Sequence, residues 1–264
     1  MPYRIDTRDV PDDALDRLIE LGVLDVDLSD DGALAALMPD GVSPEQVAAA
    51  LGVASVSVSP AAGRDAGSVW VLKPHEILVA GLRIAPASEP GGPGTLRLLD
   101  ATAFGTGLHP TTALCLESIA DAVRSDAPEA LLDVGTGSGV LALGALMMGV
   151  PRATGLDVDA EAVRIAMCNA RLNGLAGRFE ALHRGPDAVS GTWPLVVANI
   201  LAAPLIEIAP QLVQRLGHRG RVVLSGIPES VEADVDRAYR RLGLRRVAAR
   251  SRAGWFALVM QASW

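Results

Sequence analysis

Residues 131–139 read Leu131-Leu132-Asp133-Val134-Gly135-Thr136-Gly137-Ser138-Gly139, an apolar run that breaks into three glycines at alternate positions. A strand-like tetrapeptide, a glycine turn and the apolar stretch Gly139–Met148 make a strand–turn–helix unit. Glycine lets the backbone turn sharply and approach a ligand with no Cβ in the way. The start of the following helix carries backbone N–H groups without intrahelical partners. Asp133, Gly135, Thr136, Gly137 and Gly139 are therefore candidate ligand-binding residues. The G-x-G-x-G spacing differs from the dinucleotide fingerprint G-x-G-x-x-G, which counts against NAD or FAD.

Twenty-two residues past Gly135, Asp157 ends the next strand-like run, Ala153-Thr154-Gly155-Leu156-Asp157. An acid at that place accepts hydrogen bonds from ribose hydroxyls in folds of this type. It could instead cap the helix that starts at Ala160, but Asp159 is better placed for that.

Further strand-like runs stand at Leu195–Ala198 and Arg221–Leu224. Helical stretches cover Thr112–Arg124, Gly139–Met148, Ala160–Asn173, Leu205–Leu216 and Glu229–Leu242, and Arg245–Ala249 with Trp255–Met260 reads as a closing hairpin. Strand and helix in alternation predict an α/β domain, a doubly wound, mostly parallel sheet with helices on both faces, over residues 98–264.

Residues 1–60 read as a separate small α+β unit. Strand-like Tyr3–Asp6 precedes a helix opened by Pro11-Asp12-Asp13 and stopped near Gly22. Val23–Leu28 and Ala33–Met38 follow as strands, then a helix with a Ser43/Gln46 capping box and Pro44 at its first position, then strand-like Ala54–Ser59. The order β-α-β-β-α-β is the ferredoxin-like pattern. Residues 61–97, rich in Gly and Pro, read as a linker with short strands at Ile77–Ala80 and Leu82–Ile84.

The formal net charge is −8, the opposite sign to a chain that grips nucleic acid through phosphates, and compatible with a basic protein partner. Aromatic residues make up only 3 %, so the core must be built from Ala, Val, Leu and Ile. Cys115 and Cys168 lie in no CxxC or Cys/His cluster, so no metal site is indicated, and both read as buried thiols. The start MPYRIDTRDV lacks the pattern of a signal peptide, and no run of about 18 apolar residues suggests a membrane span. A cytoplasmic location is expected.

D-x-G-x-G-x-G with an acid on the second strand is the methyltransferase form of the nucleotide loop. Together with Phe104-Gly105-Thr106-Gly107-Leu108-His109-Pro110-Thr111-Thr112 and Val196-Val197-Ala198-Asn199-Ile200-Leu201-Ala202, it resembles the class I S-adenosylmethionine-dependent family that methylates large-subunit ribosomal protein eleven. The match covers residues 98–230 well and the N-terminal unit by pattern only. Where that family has an Asp-Pro-Gly-like lead into the FGTG segment, this chain has Leu99-Asp100-Ala101-Thr102.

The resemblance implies a Rossmann-like methyltransferase domain with S-adenosyl-L-methionine as cofactor. Thr112, Gly135, Asp157 and Asn199 would contact that cofactor, while Phe104, Thr106 and Gly107 would shape the pocket over its methionine end. Asn199 and Phe104 would serve the chemistry, Asn199 by holding the target amine and Phe104 as an apolar wall that favours its neutral form. The implied reaction is transfer of methyl groups to lysine side chains, and to the N-terminal amine, of a basic ribosomal protein bound by the N-terminal unit.

The core alone leaves open a methyltransferase acting on a small molecule or another protein, and a non-catalytic assembly module on the same fold. His109 reads as a residue that orders the loop before its helix, with Thr111 or Thr112 as the cap. Trp193, Trp255 and Trp264 read as packing residues.

Overall fold

The computed structural model describes residues 2–11, 13–28, 32–61, 76–88, 91–99, 109–252 and 254–264. Backbone contacts divide the chain into two compact units, Met1–Pro74 and His75–Trp264.

In the first unit, β1 (Tyr3–Arg8), α1 (Ala14–Glu20), β2 (Asp25–Leu28), β3 (Ala33–Met38), α2 (Pro44–Leu51) and β4 (Ser57–Pro60) follow one another. The strands lie in the order β2-β3-β1-β4, each pair antiparallel. Ile5, Leu34, Ala36 and Met38 from the sheet meet Ala14, Leu18, Val47 and Leu51 from the helices in one buried cluster. The capping box is formed: Gln46 N–H donates to Ser43 Oγ at 3.3 Å, and Ser43 N–H donates to Gln46 Oε1 at 2.8 Å.

The second unit opens with a three-stranded sheet, β5 (Ile77–Val79), β6 (Leu82–Pro86) and β7 (Thr95–Leu98). Leu82, Ile84, Leu96 and Leu98 are buried in the same cluster as the helices that follow. Those strands fall mainly within the later part of the stretch 61–97 that reads as a linker in the sequence.

Then come α3 (Pro110–Asp126), β8 (Ala130–Val134), α4 (Val140–Met147), β9 (Arg152–Asp157), α5 (Ala160–Leu172), β10 (Phe179–His183) and β11 (Trp193–Asn199). The unit ends with α6 (Ala202–Glu207), α7 (Ala209–Gln214), β12 (Leu216–Pro228), α8 (Glu232–Arg241), β13 (Leu244–Arg252) and β14 (Trp255–Ala262).

The seven strands β8–β14 are ordered β10-β9-β8-β11-β12-β14-β13, and only β14 runs against its neighbours. Period-two side chains sort the core onto two faces. Leu131, Leu195, Val197 and Val223 pack beneath α3, α4 and α5, while Leu132, Val196, Val222 and Leu224 pack against the layer of α6, α7 and α8. Each buried Leu or Val contributes about 1.5–3 kcal/mol. From β8 the chain winds one way to β9 and β10, and β11 and β12 lie on the other side. The crevice at the carboxyl ends of β8 and β11 is thus the topological switch point, where open α/β sheets bind ligands.

Two expectations are corrected. The helix expected at Leu205–Leu216 is two helices, because Pro210 sits in the first turn of α7 and cannot donate into a continuous ladder. Cys168 is half-buried, with Arg164 Nη1 at 3.9 Å from its sulfur, whereas Cys115 is buried as expected.

Candidate functional site

The glycine turn follows directly from β8. Gly135, Gly137 and Gly139 have φ of 76°, 53° and 84°, the left-handed region that favours glycine. A Cβ on Gly135 would overlap Ile200 Cγ2, and one on Gly139 would press on Ala166 and Leu143. The turn therefore brings bare backbone to the switch point.

Its own N–H groups are already used. Gly135 and Thr136 donate to the Leu156 carbonyl at 2.8 and 2.9 Å, and Gly139 donates to the Thr136 carbonyl at 2.8 Å. Gly137 donates to Asp157 Oδ2 at 2.9 Å. The turn offers a ligand its shape, not these four donors.

Asp157, at the end of β9, is half-buried against the turn. Its Oδ1 accepts from the Asp159 N–H at 3.0 Å, and Asp159 itself caps α5 by accepting from Glu161 N–H at 2.8 Å. Each Asp157 oxygen thus accepts one protein bond and retains a lone pair for another donor. The next residue, Val158, is 80 % exposed, and its carbonyl is bonded to His183 Nε2 at 2.9 Å. Sequence reading passed over Val158, whose signal is an apolar residue next to the ribose-type acid.

Asp133 lies under the turn, fully buried, with Thr136 Oγ1 donating to its Oδ2 at 2.8 Å. Burial pushes its carboxyl up to about 7, against the opposing pull of the Thr136 hydroxyl and the Ala142 N–H; the nearby Asp157 charge raises it further. Asp133 therefore supports the turn from below.

Asn199 ends β11, 7 % exposed, and its Oδ1 is buried with no hydrogen-bond partner. Thr112, in the first turn of α3, is 0 % exposed and its Oγ1 is likewise unpartnered. Buried polar oxygens are normally satisfied, and with Asp133 Oδ1, also unpartnered, three lie at this end of the sheet, a place suited to a polar ligand. Gly226, which sequence reading missed, lets β12 pass behind this point: its φ is 83° and a Cβ there would overlap the Ile200 carbonyl.

His109, not Thr111 or Thr112, is the N-cap of α3; its Nδ1 accepts from Thr111 N–H at 3.4 Å and lies 2.8 Å from Thr111 Oγ1. Its ring packs edge-on against Trp255 at 5.0 Å, and burial pushes its pKa down to about 4. The imidazole stays neutral at physiological pH and orders the helix start. Of the expected site residues, Thr112, Asp133, Gly135, Thr136, Gly137, Gly139, Asp157 and Asn199 are found on this edge of the sheet or beneath it. Phe104, Thr106 and Gly107 lie outside the described residues.

Among the described residues no helix is long and apolar enough to cross a membrane. The model of the ribosomal protein L11 methyltransferase (PrmA) family matches residues 84–263. The chain is 36 % identical to a ribosomal protein L11 methyltransferase of Myxococcus xanthus over 222 residues, 82 % of this chain and 76 % of that protein. It is also 36 % identical to the one of Sorangium cellulosum over 269 residues, 92 % of this chain and 85 % of that protein. Other relatives align over little more than half of their own length.

Among solved structures it resembles the ribosomal protein L11 methylase of Lactobacillus delbrueckii subsp. bulgaricus. The TM-score is 0.66 at 30 % identity, covering 72 % of this chain and 100 % of that one. The chain belongs to the ribosomal protein L11 methyltransferase family, whose members are S-adenosylmethionine-dependent protein methyltransferases.

Proposed function

We propose that this chain transfers methyl groups from S-adenosylmethionine to lysine side-chain amines, and to the N-terminal amine, of large-subunit ribosomal protein L11. The observation that carries the reading is the Asp157 carboxylate. It is locked to Gly137 N–H at 2.9 Å on the edge where the Asn199 and Thr112 oxygens are orphaned.

The residues present fit the cofactor. Asp157 has lone pairs left for two ribose hydroxyls, and the exposed Val158 beside it offers an apolar face to the base. Gly135, Gly137 and Gly139 admit the nucleoside close to the backbone, and Thr112 Oγ1 adds an acceptor. S-adenosylmethionine supplies an electrophilic methyl group on a sulfonium, so the protein's task is alignment and a neutral nucleophile.

A free lysine has a pKa of about 10.4, and an amine enters with its proton lost when apolar surroundings disfavour the charge. Ile200 and Phe104 would supply such walls. Asn199 Oδ1 accepts one N–H of the amine and aims its lone pair. Holding two reactants in line supplies up to roughly 7–11 kcal/mol of the barrier in the best cases.

The N-terminal unit is assigned as a ferredoxin-like substrate-recognition domain spanning residues 1–60, a reading supported by its β-α-β-β-α-β order and β2-β3-β1-β4 sheet. The methyltransferase chemistry is assigned to residues 98–264, and within the preceding stretch 61–97 the strands β5 to β7 pack into the core of that same unit. The net charge of −8 suits a basic protein substrate in preference to bare nucleic acid. A ribosomal substrate supports a cytoplasmic location for the reaction.

The test is incubation of the purified chain and ribosomal protein L11 with methyl-labelled cofactor, followed by peptide mass spectrometry. Methylated lysines are expected. Label found only in small molecules, or in no product, overturns the substrate assignment.

A further inference from the structure

Asn169 is a buried polar residue on the apolar face of α5, 0 % exposed among Ala162, Ile165, Ala166 and Ala170. Its amide is satisfied across elements. The Leu99 N–H, just past β7, donates to Asn169 Oδ1 at 2.9 Å, and Asn169 Nδ2 donates to the Ser138 carbonyl at 2.8 Å.

From Ser138 the bonding continues. The peptide that carries the Ser138 carbonyl also carries the Gly139 N–H, which donates to the Thr136 carbonyl at 2.8 Å. The Thr136 peptide in turn carries the Gly137 N–H, which donates to Asp157 Oδ2 at 2.9 Å. Leu99, Asn169, the Ser138–Gly139 peptide, the Thr136–Gly137 peptide and Asp157 form one chain. Each amide accepts on one side and donates on the other, so each bond polarises the next. Both turn peptides are held at their carbonyl and their N–H ends, which fixes the orientation a flexible glycine turn would otherwise lose.

We propose that Asn169 is a positioning residue for the cofactor site, heading a hydrogen-bonded relay through the glycine turn that sets the Asp157 carboxylate. This rests on the reading of Asp157 as the ribose-binding acid. Asn173, one helical turn on, provides an internal control. It also anchors β7, accepting from Arg97 N–H at 2.8 Å and donating to the Arg97 carbonyl at 2.7 Å; its Nδ2 also donates to the Asn169 backbone carbonyl at 2.7 Å, but among the described residues it makes no bond to the Asn169 side chain or to the turn.

The variants are Asn169→Asp, which keeps the shape and replaces the donor to Ser138 with an oxygen, Asn169→Ala and Asn173→Ala. Calorimetry with S-adenosylhomocysteine, and amide hydrogen exchange of the ligand-free proteins, are measured at a temperature where melting curves show each variant folded. Both Asn169 variants should bind about tenfold more weakly than wild type. Both should also lose exchange protection at Gly137 and Gly139. Asn173→Ala should stay within about twofold in affinity and keep that protection, even where it lowers the melting temperature as much.

Equal effects of Asn169→Ala and Asn173→Ala on affinity and on glycine exchange would overturn the relay. A wild-type protein that binds no S-adenosylhomocysteine would instead sink the reading of the site, and the exchange data would still decide whether the relay exists.

Discussion

The two ends of the seven-stranded sheet differ in what they do with polar groups. At the amino end, a cleft of about 370 Å³ is lined by Arg219, Arg221, Arg245, His218 and Asp126 among others. Its cations mostly find acceptors: Arg221 pairs with Asp126 at 3.0 Å and bonds Ser125 Oγ at 3.1 Å, and Arg245 bonds Gln261. At the carboxyl end, three glycines hold left-handed backbone, an acid is buried, and three buried oxygens, on Thr112, Asp133 and Asn199, have no partner.

Orphaned atoms alone do not separate the ends, since Arg221 Nε is also unpartnered. What separates them is coincidence: at the carboxyl end the unfavourable features gather at the topological switch point. Structure that departs from local optima marks function more reliably than concavity does.

Substitutions at the two ends sharpen that contrast. The largest effect is expected for Asn199→Ala, which removes the acceptor proposed to orient the amine. Its kcat should fall about 100- to 1,000-fold in a methylation assay, the range seen when one polar group aligned with the reacting centre is lost. Asp157→Ala should weaken S-adenosylhomocysteine about 100-fold by calorimetry, because it removes a charged acceptor from two hydroxyls.

Asp133 tests the cost of the buried acid through pH. Its carboxyl is raised from 3.8 to about 7, so between those values the folded state keeps a proton that the unfolded chain has released. Stability from this group is complete below about pH 4 and is lost as pH rises through about 7. Asp133→Asn mimics the protonated acid. Its stability advantage over wild type should therefore grow from pH 4 to pH 8, to on the order of 4 kcal/mol, in denaturant titrations. An advantage that does not change with pH would remove the buried charge from the account. The smallest effect belongs to the amino end: Arg245→Ala should leave kcat and cofactor affinity within about twofold, and a large loss there would break the contrast.

Much of the carboxyl end was legible in the chain because glycine spacing and a terminal acid are local signals. Gly135, Gly137, Gly139 and Asp157 could be placed without tertiary information, and so could β8 and β11, whose apolar runs are nearly unbroken, and β9 from its terminal acid. The rest depends on partners distant in sequence. β10 (Phe179–His183) went unread because it is a short edge strand with one fully buried side chain and the exposed Glu180 and His183. The requirement for glycine at 226 comes from Ile200, and the role of Asn169 from Leu99 and Ser138. A trace of the latter was available, an asparagine on the buried stripe of an amphipathic helix, but its partners were not.

The central claim is that the nucleoside binds at the switch point with its sugar on Asp157. A crystal structure of the complex with S-adenosylhomocysteine tests it most directly. The account predicts both ribose hydroxyls at about 2.7 Å from the Asp157 carboxylate oxygens. A nucleoside lodged in the arginine-lined cleft at the amino end, or with its ribose turned away from Asp157, would contradict it.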